Sequence, residues 1–280
     1  MSQDRKHIVL FDMDGTLTEA RQPIHADMIE KLKELLAISN VEVGVVTGSD
    51  YDYVKQQLGL LLDESDMCQK IHLMPCNGTK YYTPPTSKDS LHELSHHEDM
   101  VMFLGKENMR ALMQILIERQ SRFSHSLDDL TGHFISYRGS MVNWCPIGRN
   151  ASEAQRYDFV KLDRFYEPSL RARELRALSY KFSDINLESR LVAKLGGDTS
   201  FDIYPVGWDK TFCLQYFPDH QLWFVGDRCY QDGNDYEIYE KVSEIGEAFD
   251  TLGPNNTATI IDDIKIKILK SNYKTAPLPS

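Results

Sequence analysis

Two aspartates directly follow a short apolar run near the start of the chain. Residues 8–11 read Ile-Val-Leu-Phe, and Asp12-Met-Asp14-Gly-Thr16 comes next. The run predicts a buried parallel strand, and open α/β sheets bind ligands beyond the carboxyl ends of such strands. One carboxylate there could act as nucleophile or metal ligand while the second transfers a proton. A solvated turn is the alternative, but the strand before and the Gly-Thr turn after these residues favour chemistry.

Other polar residues follow later apolar runs in the same manner. Val41–Val46 ends at Thr47-Gly-Ser, and Leu222–Val225 ends at Gly-Asp227. Because strand–helix–strand units are right-handed, the carboxyl ends of these strands meet at one edge of the sheet. A predicted helix begins at Lys210, where its N-terminus would favour an anion. The order and placement predict one site formed by Asp12, Asp14, Thr47, Lys210, Asp227 and Asp235.

The middle of the chain has a different pattern from its two ends. Residues 133–138 and 141–145 alternate as two strands around Gly139-Ser140, which predicts a hairpin, and two helices and two further strands follow. We therefore predict an α/β fold in which a Rossmann-like parallel-sheet core carries an inserted α+β cap. The predicted boundaries are 1–84 and 206–270 for the core, 85–205 for the cap and 271–280 for a disordered tail.

Composition restricts the possible partners and compartments. The formal net charge is −11, which argues against nucleic-acid binding, and no segment approaches the ~20 apolar residues of a membrane helix. The five cysteines are scattered without metal-ligand spacing, which predicts reduced thiols in a cytoplasmic protein. Three histidines, His92, His96 and His97, lack partnering ligands, so we interpret their segment as a solvated linker rather than a metal site.

The stretch from Ile8 to Thr18 resembles the first motif of the haloacid dehalogenase (HAD) superfamily of phosphotransferases. The resemblance implies that Asp12 attacks phosphorus to form an aspartyl-phosphate. Asp14 would protonate the leaving oxygen and later deprotonate the acceptor, while the Thr47 hydroxyl would bind phosphoryl oxygens. A carboxylate nucleophile in an anionic site needs a cation such as Mg²⁺. The implied metal ligands are Asp12, Asp227, Asp235 and, through its backbone carbonyl, Asp14.

Motifs in the middle segment resemble the eukaryotic-type phosphomannomutases. They are Phe134-Ile-Ser-Tyr-Arg138, Met141-Val-Asn143, Pro146-Ile-Gly-Arg149 and the run from Gly196 through Phe201-Asp-Ile-Tyr-Pro-Val-Gly-Trp-Asp-Lys210. The resemblance implies interconversion of mannose 6-phosphate and mannose 1-phosphate through a hexose 1,6-bisphosphate, which also serves as activator. It further implies a supply of mannose 1-phosphate for GDP-mannose synthesis and a homodimer formed through the cap.

A bisphosphate intermediate requires a second, distal phosphate site, and the resemblance places it in the cap. Arginine suits this role because its planar guanidinium binds phosphate oxygens through two parallel hydrogen bonds. Asn143 would assist, and Ser200 and Asp202 would bind sugar hydroxyls. The arginines carried over from the family motifs are Arg21, Arg138, Arg149 and Arg156.

Some positions depart from the family pattern, and three other functions stay open. Thr131-Gly-His133 replaces Arg-Gly-Thr, and Lys241 replaces an aspartate, which argues against a second cation site there. A sugar-phosphate phosphatase of the same superfamily, or a mutase that prefers glucose phosphates, is the nearer alternative. A non-catalytic binding protein is the farther one, and the Asp12/Asp14 pair argues against it.

Overall fold

The structure is a computed structural model that describes residues 5–63, 65–87, 90–123, 127, 130–187 and 189–275. Contacts between Cα atoms divide the chain into two compact units. The first, called the core unit, comprises Met1–His96, Lys210–Gln231 and Asp235–Ser280. The second, called the cap unit, comprises His97–Asp209 and Asp232–Asn234. In sequence, the cap unit is therefore an insertion within the core unit.

A seven-stranded sheet forms the centre of the core unit. Its strands are β1 (His7–Phe11), β2 (Val41–Val46), β3 (Ile71–Met74), β4 (Lys80–Thr83), β5 (Glu93–His97), β10 (Gln221–Gly226) and β11 (Glu247–Asp250). They lie in the order β11-β10-β1-β2-β3-β4-β5, and the first five of these are parallel. β4 pairs with β3 in the antiparallel sense, and β5 lies beside β4 at the edge.

Helices cover both faces of this sheet because its strands are apolar on both sides. In β1, Val9 and Phe11 pack on one face with buried leucines of α1 (Ala26–Leu36) and α2 (Tyr51–Leu62) and isoleucines of α9 (Pro254–Thr275). Ile8 and Leu10, alternating with them, pack on the other face with α8 (Tyr236–Ile245) and a 3-10 helix (Lys210–Tyr216). The short helix α3 (Ser65–Cys68) precedes β3. Burial on both faces explains the continuous apolar runs seen in the sequence.

The cap unit is an α+β layer with its own antiparallel sheet. The strand order is β6-β7-β9-β8, and every neighbouring pair is antiparallel. The strands are β6 (Ile135–Tyr137), β7 (Val142–Trp144), β8 (Leu191–Gly196) and β9 (Ser200–Pro205). The helices are α4 (Met100–Leu104), α5 (Lys106–Phe123), α6 (Glu153–Phe165) and α7 (Leu170–Asp184).

Strand alternation separates an apolar and a polar face in the cap sheet. Trp144 lies opposite Phe201 in register, and their rings stack with centroids 4.9 Å apart. Asn143, one position earlier, lies opposite Asp202. Because successive side chains point to opposite faces, the aromatic pair faces the cap helices while Asn143 and Asp202 share the other face. The Trp144 indole N–H donates to Gln120 of α5 at 2.6 Å, which satisfies its polar group.

The predicted α/β class with a parallel-sheet core is confirmed, and three details differ. The segment predicted as a linker contains β5, whose pairing with β4 extends the core sheet beyond the predicted boundary at residue 84. The cap unit accordingly begins at His97, and its main segment ends at Asp209. Residues 271–275, predicted as tail, are the last turn of α9, and residues 276–280 lie outside the described part of the chain. Edge pairing and helix extension depend on tertiary neighbours that local sequence does not reveal.

All five cysteines lie within the described residues, where they are buried and form no disulfide. Among the helices that the structure describes, none combines the length and apolar character that crossing a bilayer requires.

Candidate active site

The carboxyl ends of β1 and β10 place two aspartates side by side. Phe11 lies opposite Val225 in the parallel register, so Asp12 and Asp227 follow neighbouring strands at the same edge. The Asp12 backbone N–H donates to the Val225 carbonyl at 2.9 Å and extends the pairing past the strand end. The parallel pairing of β1 and β10 is therefore the reason that these two strand ends meet.

A buried lysine and a third aspartate complete the cluster. Lys210, at the start of the 3-10 helix, forms ion pairs with Asp12 and, at 2.6 Å, with Asp235 at the N-terminus of α8. Oxygen atoms of Asp12, Asp227 and Asp235 all lie within 4.8 Å of one another. The Asp235 carboxylate also accepts the Arg228 backbone N–H at 3.1 Å, so both of its oxygens are bound.

Burial and crowding shift the pKa values of these groups. Burial raises the pKa of Asp12 well above its usual value, against the opposing charge of Lys210. Burial, followed by the negative charge of Asp235, raises the pKa of Asp227 to about 6. Burial alone would lower the pKa of Lys210, but the two adjacent carboxylates raise it above its usual value. The ammonium therefore stays charged and forms ion pairs with both Asp12 and Asp235.

The donor set fits a hard divalent cation. Oδ1 of Asp227 is buried and has no hydrogen-bond partner among the described residues, while Oδ2 lies 3.6 Å from Nε of Arg228. A buried carboxylate oxygen without a partner costs free energy unless a ligand satisfies it. Carboxylate oxygens are the ligands that Mg²⁺ prefers. Asp12 and Asp227 could hold such an ion together with Asp235, whose two oxygens also accept hydrogen bonds from Lys210 and from the Arg228 backbone.

The turn after β1 requires a glycine. Gly15 has φ +87°, and a Cβ added there would lie 2.5 Å from Oδ2 of Asp227 and 2.8 Å from its Cγ. Any side chain at residue 15 would therefore collide with the carboxylate. The Gly-Thr turn of the sequence motif thus exists to let the β1 loop approach Asp227.

Asp14 lies in this turn, and its carboxylate has partners of its own outside the acidic cluster. Its Oδ1 accepts the Tyr53 hydroxyl at 2.9 Å and the Arg21 backbone N–H at 2.8 Å. Two hydrogen bonds therefore hold the side chain of Asp14 in place. The contribution of its carbonyl to a metal site stays a prediction.

Thr47 directly follows β2, the other neighbour of β1. Its side chain is buried, and its hydroxyl oxygen accepts the Ser49 backbone N–H at 3.2 Å. Its backbone N–H donates to the Met74 carbonyl at the end of β3, at 3.2 Å. Three adjacent parallel strands therefore end in polar residues, as the sequence order predicts.

The polar face of the cap sheet carries a second cluster. The Asn143 side-chain amide donates to Asp202 at 2.7 Å and to the Ser200 hydroxyl at 3.0 Å. Its carbonyl oxygen accepts Nη1 of Arg149 at 3.0 Å. Asn143 thus joins three other residues predicted to bind substrate into one hydrogen-bonded group.

The remaining predicted arginines occupy three different settings. Arg156 donates from Nη1 to the Thr199 hydroxyl at 2.7 Å and from Nη2 to the Arg149 carbonyl at 2.8 Å. Arg138 follows β6 and is 8% exposed. Arg21 is exposed and belongs to the core unit, unlike the other three. Its backbone φ is +65°.

Sequence comparison identifies the family. The profile of the family described as eukaryotic phosphomannomutase matches residues 26–267. A phosphomannomutase of Dendrobium officinale is 37% identical over 257 residues, which cover 90% of this chain and 91% of the relative. Phosphomannomutase 2 of Dictyostelium discoideum is 34% identical over 275 residues, covering 95% and 100%. The chain belongs to the eukaryotic phosphomannomutase family.

Solved structures support the predicted fold of this phosphomannomutase family member. Plasmodium falciparum IMP-nucleotidase matches 95% of this chain and 64% of its own, with a TM-score of 0.65 and 13% identity. SMU.1108c of Streptococcus mutans matches 92% of this chain and 98% of its own, with a TM-score of 0.58 and 14% identity. At such low identity the likeness concerns the fold alone, and it confirms the predicted fold class.

Two residues of this phosphomannomutase family member that contact predicted site residues were not themselves predicted from the sequence. Tyr53 contacts Asp14, and Thr199 accepts a hydrogen bond from Arg156. Tyr53 could have been found, since it lies in the first turn of the helix that follows Thr47. Thr199 precedes β9 by one residue, and nothing in the local sequence separates it from an ordinary turn threonine.

Proposed function

We propose that this protein is a phosphomannomutase that interconverts mannose 6-phosphate and mannose 1-phosphate. The observation that carries the proposal is that one chain contains both kinds of cluster. A carboxylate–lysine cluster lies at strand ends of the core unit, and an arginine–asparagine–aspartate cluster lies on the cap sheet. The first suits phosphoryl transfer, and the second suits recognition of a phosphorylated sugar. Membership of the phosphomannomutase family supports this assignment.

In the proposed reaction Asp12 is the nucleophile. One of its carboxylate oxygens forms a bond to phosphorus while the bond from phosphorus to the sugar oxygen breaks. Asp14, in its acid form, gives its proton to that oxygen, so the sugar leaves as an alcohol and Asp14 becomes a carboxylate. In the reverse half-reaction a sugar hydroxyl returns its proton to Asp14 and takes the phosphoryl group from Asp12.

Charge balance at Asp12 explains the residues around it. Mg²⁺, when bound, would neutralise phosphoryl oxygens and so let an anionic nucleophile approach an anionic group. Lys210 holds Asp12 in place through its ion pair, and Asp235 holds Lys210. The Thr47 hydroxyl would donate to a phosphoryl oxygen. These fixed partners orient the nucleophile before substrate binds.

The cap cluster would bind the part of the substrate that does not react. Arg138, Arg149 and Arg156 would hold the distal phosphate, with Arg21 as a further contact and Asn143 as the group that orients Arg149. Ser200 and Asp202 would bind sugar hydroxyls. An arginine group that accepts either end of a bisphosphate suits a mutase, because the intermediate must be held in both orientations.

We infer several accompanying features. A hexose 1,6-bisphosphate would act as activator by phosphorylating Asp12, and the mannose 1-phosphate produced would supply GDP-mannose synthesis. The protein would form a homodimer through its cap and act in the cytoplasm on hexose phosphates, without nucleic-acid or membrane partners.

One assay tests the proposal. The protein is incubated with mannose 1-phosphate, Mg²⁺ and glucose 1,6-bisphosphate, and mannose 6-phosphate and free phosphate are separated and quantified. We expect mannose 6-phosphate to form and free phosphate to stay a minor product. Free phosphate as the main product would favour a phosphatase, and a parallel assay with glucose 1-phosphate would detect a glucose mutase. Asp12→Asn provides the control for contaminating activity.

A further inference from the structure

Tyr53 contacts the proposed general acid Asp14. Its hydroxyl donates to Oδ1 of Asp14 at 2.9 Å across 39 residues of sequence. The Arg21 backbone N–H donates to the same oxygen at 2.8 Å. Within the described part of the chain, no residue hydrogen-bonds to Oδ2. Both donors therefore occupy one oxygen and leave the second for a proton and a reacting group.

The start of α2 fixes Tyr53 in place. Asp50 caps this helix, and its carboxylate accepts the Tyr53 backbone N–H at 3.0 Å. Val54, next along the helix, is buried in the core with 1% exposure. Capping and burial hold the first turn of α2 against the core, so the phenol reaches Asp14 from a rigid backbone.

We propose that Tyr53 is a positioning residue that holds Oδ1 of Asp14 so that Oδ2 transfers the proton to and from the sugar oxygen. This inference rests on the proposed function, in which Asp14 acts as general acid. A carboxyl group that can rotate about its Cβ–Cγ bond presents its proton in the required direction for only part of the time. Two hydrogen bonds from different segments restrict that rotation.

The inference predicts a defect that depends on the leaving group. When a hexose bisphosphate phosphorylates Asp12, the departing sugar oxygen needs the proton of Asp14. When acetyl phosphate is the donor, acetate departs without a proton at neutral pH. Loss of the Tyr53 hydroxyl should therefore slow the first reaction and spare the second.

Tyr53→Phe removes the hydroxyl and keeps the ring, and Tyr51→Phe is the matched control. Tyr51 lies on the same helix, where its ring stacks on Tyr82 with centroids 3.9 Å apart. Formation of the phosphorylated protein is measured by rapid quench and mass spectrometry with each donor in the presence of Mg²⁺. For Tyr53→Phe we expect the rate with glucose 1,6-bisphosphate to fall ~10-fold and the rate with acetyl phosphate to change less than ~2-fold. Tyr51→Phe should match the wild type with both donors.

Mutase kinetics provide a second readout. Tyr53→Phe should lower kcat by a similar factor and leave KM for mannose 1-phosphate within ~2-fold, because in this proposal the hydroxyl acts through Asp14 and not on the substrate. Equal slowing with both donors, no slowing, or the same slowing in Tyr51→Phe would overturn the inference and leave the proposed function intact. If the wild-type protein is phosphorylated by neither donor, the proposed function fails and the role of Tyr53 fails with it.

Discussion

In the core unit one buried ammonium pairs with two aspartates next to a third, whereas in the cap unit arginines meet an asparagine, hydroxyls and a single carboxylate. Lys210 is 1% exposed, and both of the aspartates with which it pairs are also buried. Arg149 and Arg156 are only half-buried. A buried cation shared by carboxylates would hold the proposed nucleophile in place. Half-buried arginines would be accessible to the proposed anionic ligand.

The two clusters also differ in how the backbone builds them. The core cluster uses the ends of parallel strands and the starts of helices, where chain geometry alone brings the residues to one edge. The cap cluster uses one face of an antiparallel sheet, where cross-strand pairs such as Asn143 and Asp202 set the spacing. We therefore expect substitutions in the core cluster to abolish chemistry, and substitutions in the cap cluster to weaken binding and alter selectivity.

The largest expected effect is on the nucleophile. Asp12→Asn should lower mutase turnover on the order of 10³-fold or more, because an amide cannot form the aspartyl-phosphate. The fold should persist, since Lys210 keeps its ion pair with Asp235 at 2.6 Å. Turnover is measured by mannose 6-phosphate formation, phosphorylation by mass spectrometry and folding by thermal melting. Near-normal turnover by a folded variant would show that Asp12 is not the nucleophile.

Removal of divalent cations should have the next largest effect. Exhaustive chelation should lower turnover on the order of 100-fold or more, and added Mg²⁺ should restore it. Binding can be measured without activity, because an ion that binds only the folded protein raises its melting temperature. Mg²⁺ should raise the melting temperature of the wild type and not that of Asp227→Asn. Full activity after chelation would contradict the metal site.

A smaller effect is expected in the cap. Arg149→Ala removes a charged contact to the distal phosphate, which should cost about 2–4 kcal/mol of substrate binding. Turnover should fall as well, and the share of phosphate lost to water should rise because a poorly held bisphosphate lets water reach the aspartyl-phosphate. Mg²⁺ binding, measured by melting, should be unchanged.

The matched control is Arg164→Ala, an exposed arginine of α6 in the same unit. Mutase flux and free phosphate are measured side by side in both variants. If Arg149→Ala kept the wild-type flux and hydrolysis share, the cap cluster would not be the distal phosphate site, and the comparison between the units would collapse.

The sequence predicts the core cluster better than the rest of the molecule. Asp12, Thr47 and Asp227 each follow an apolar run, and parallel connections are right-handed, so their convergence follows from chain order. Tyr53 was not predicted because its side chain reaches Asp14 from a helix. The prediction considered only residues that directly follow a strand or begin a helix. β5 was missed because its exposed residues gain strand structure only by pairing with β4.

The cap cluster was predicted through family motifs, since no periodicity singles out its residues. Chain order cannot show that Asn143 lies opposite Asp202, because that pairing depends on the register between β7 and β9. The role of each cap arginine therefore stays a prediction, whereas the hydrogen bonds that link Arg149 to Asn143 are a structural fact.

A third group of polar and charged residues lies at the opposite edge of the core sheet. It contributes to stability and lies away from the proposed active site. Glu42 lies near the start of β2, 3.3 Å from Nε2 of His72 and 3.4 Å from Nζ of Lys6 and Nε2 of His220. The hydrogen bond to His72, aided by the positive charge of Lys6 and opposed by partial burial, lowers the pKa of Glu42 from 4.5 to about 2. The folded protein thus favours the ionised carboxylate, which contributes stability but lies remote from the catalytic edge.

The smallest expected effect concerns Glu42 and follows from the lowering of its pKa in the folded protein. Because the folded pKa lies below the unfolded one, the contribution is complete above pH 4.5 and is lost as pH falls towards about 2. Glu42→Gln should lower the free energy of unfolding at pH 7 by about 1–2 kcal/mol, allowing for solvent screening of a partly exposed carboxylate. The difference from wild type should shrink in urea titrations near pH 3, while mutase turnover at pH 7 stays unchanged.

Glu240→Gln, at an exposed position on α8, is the control and should match wild type at both pH values. A Glu42→Gln deficit that persists undiminished at pH 3 would mean that packing, not charge, makes Glu42 stabilising.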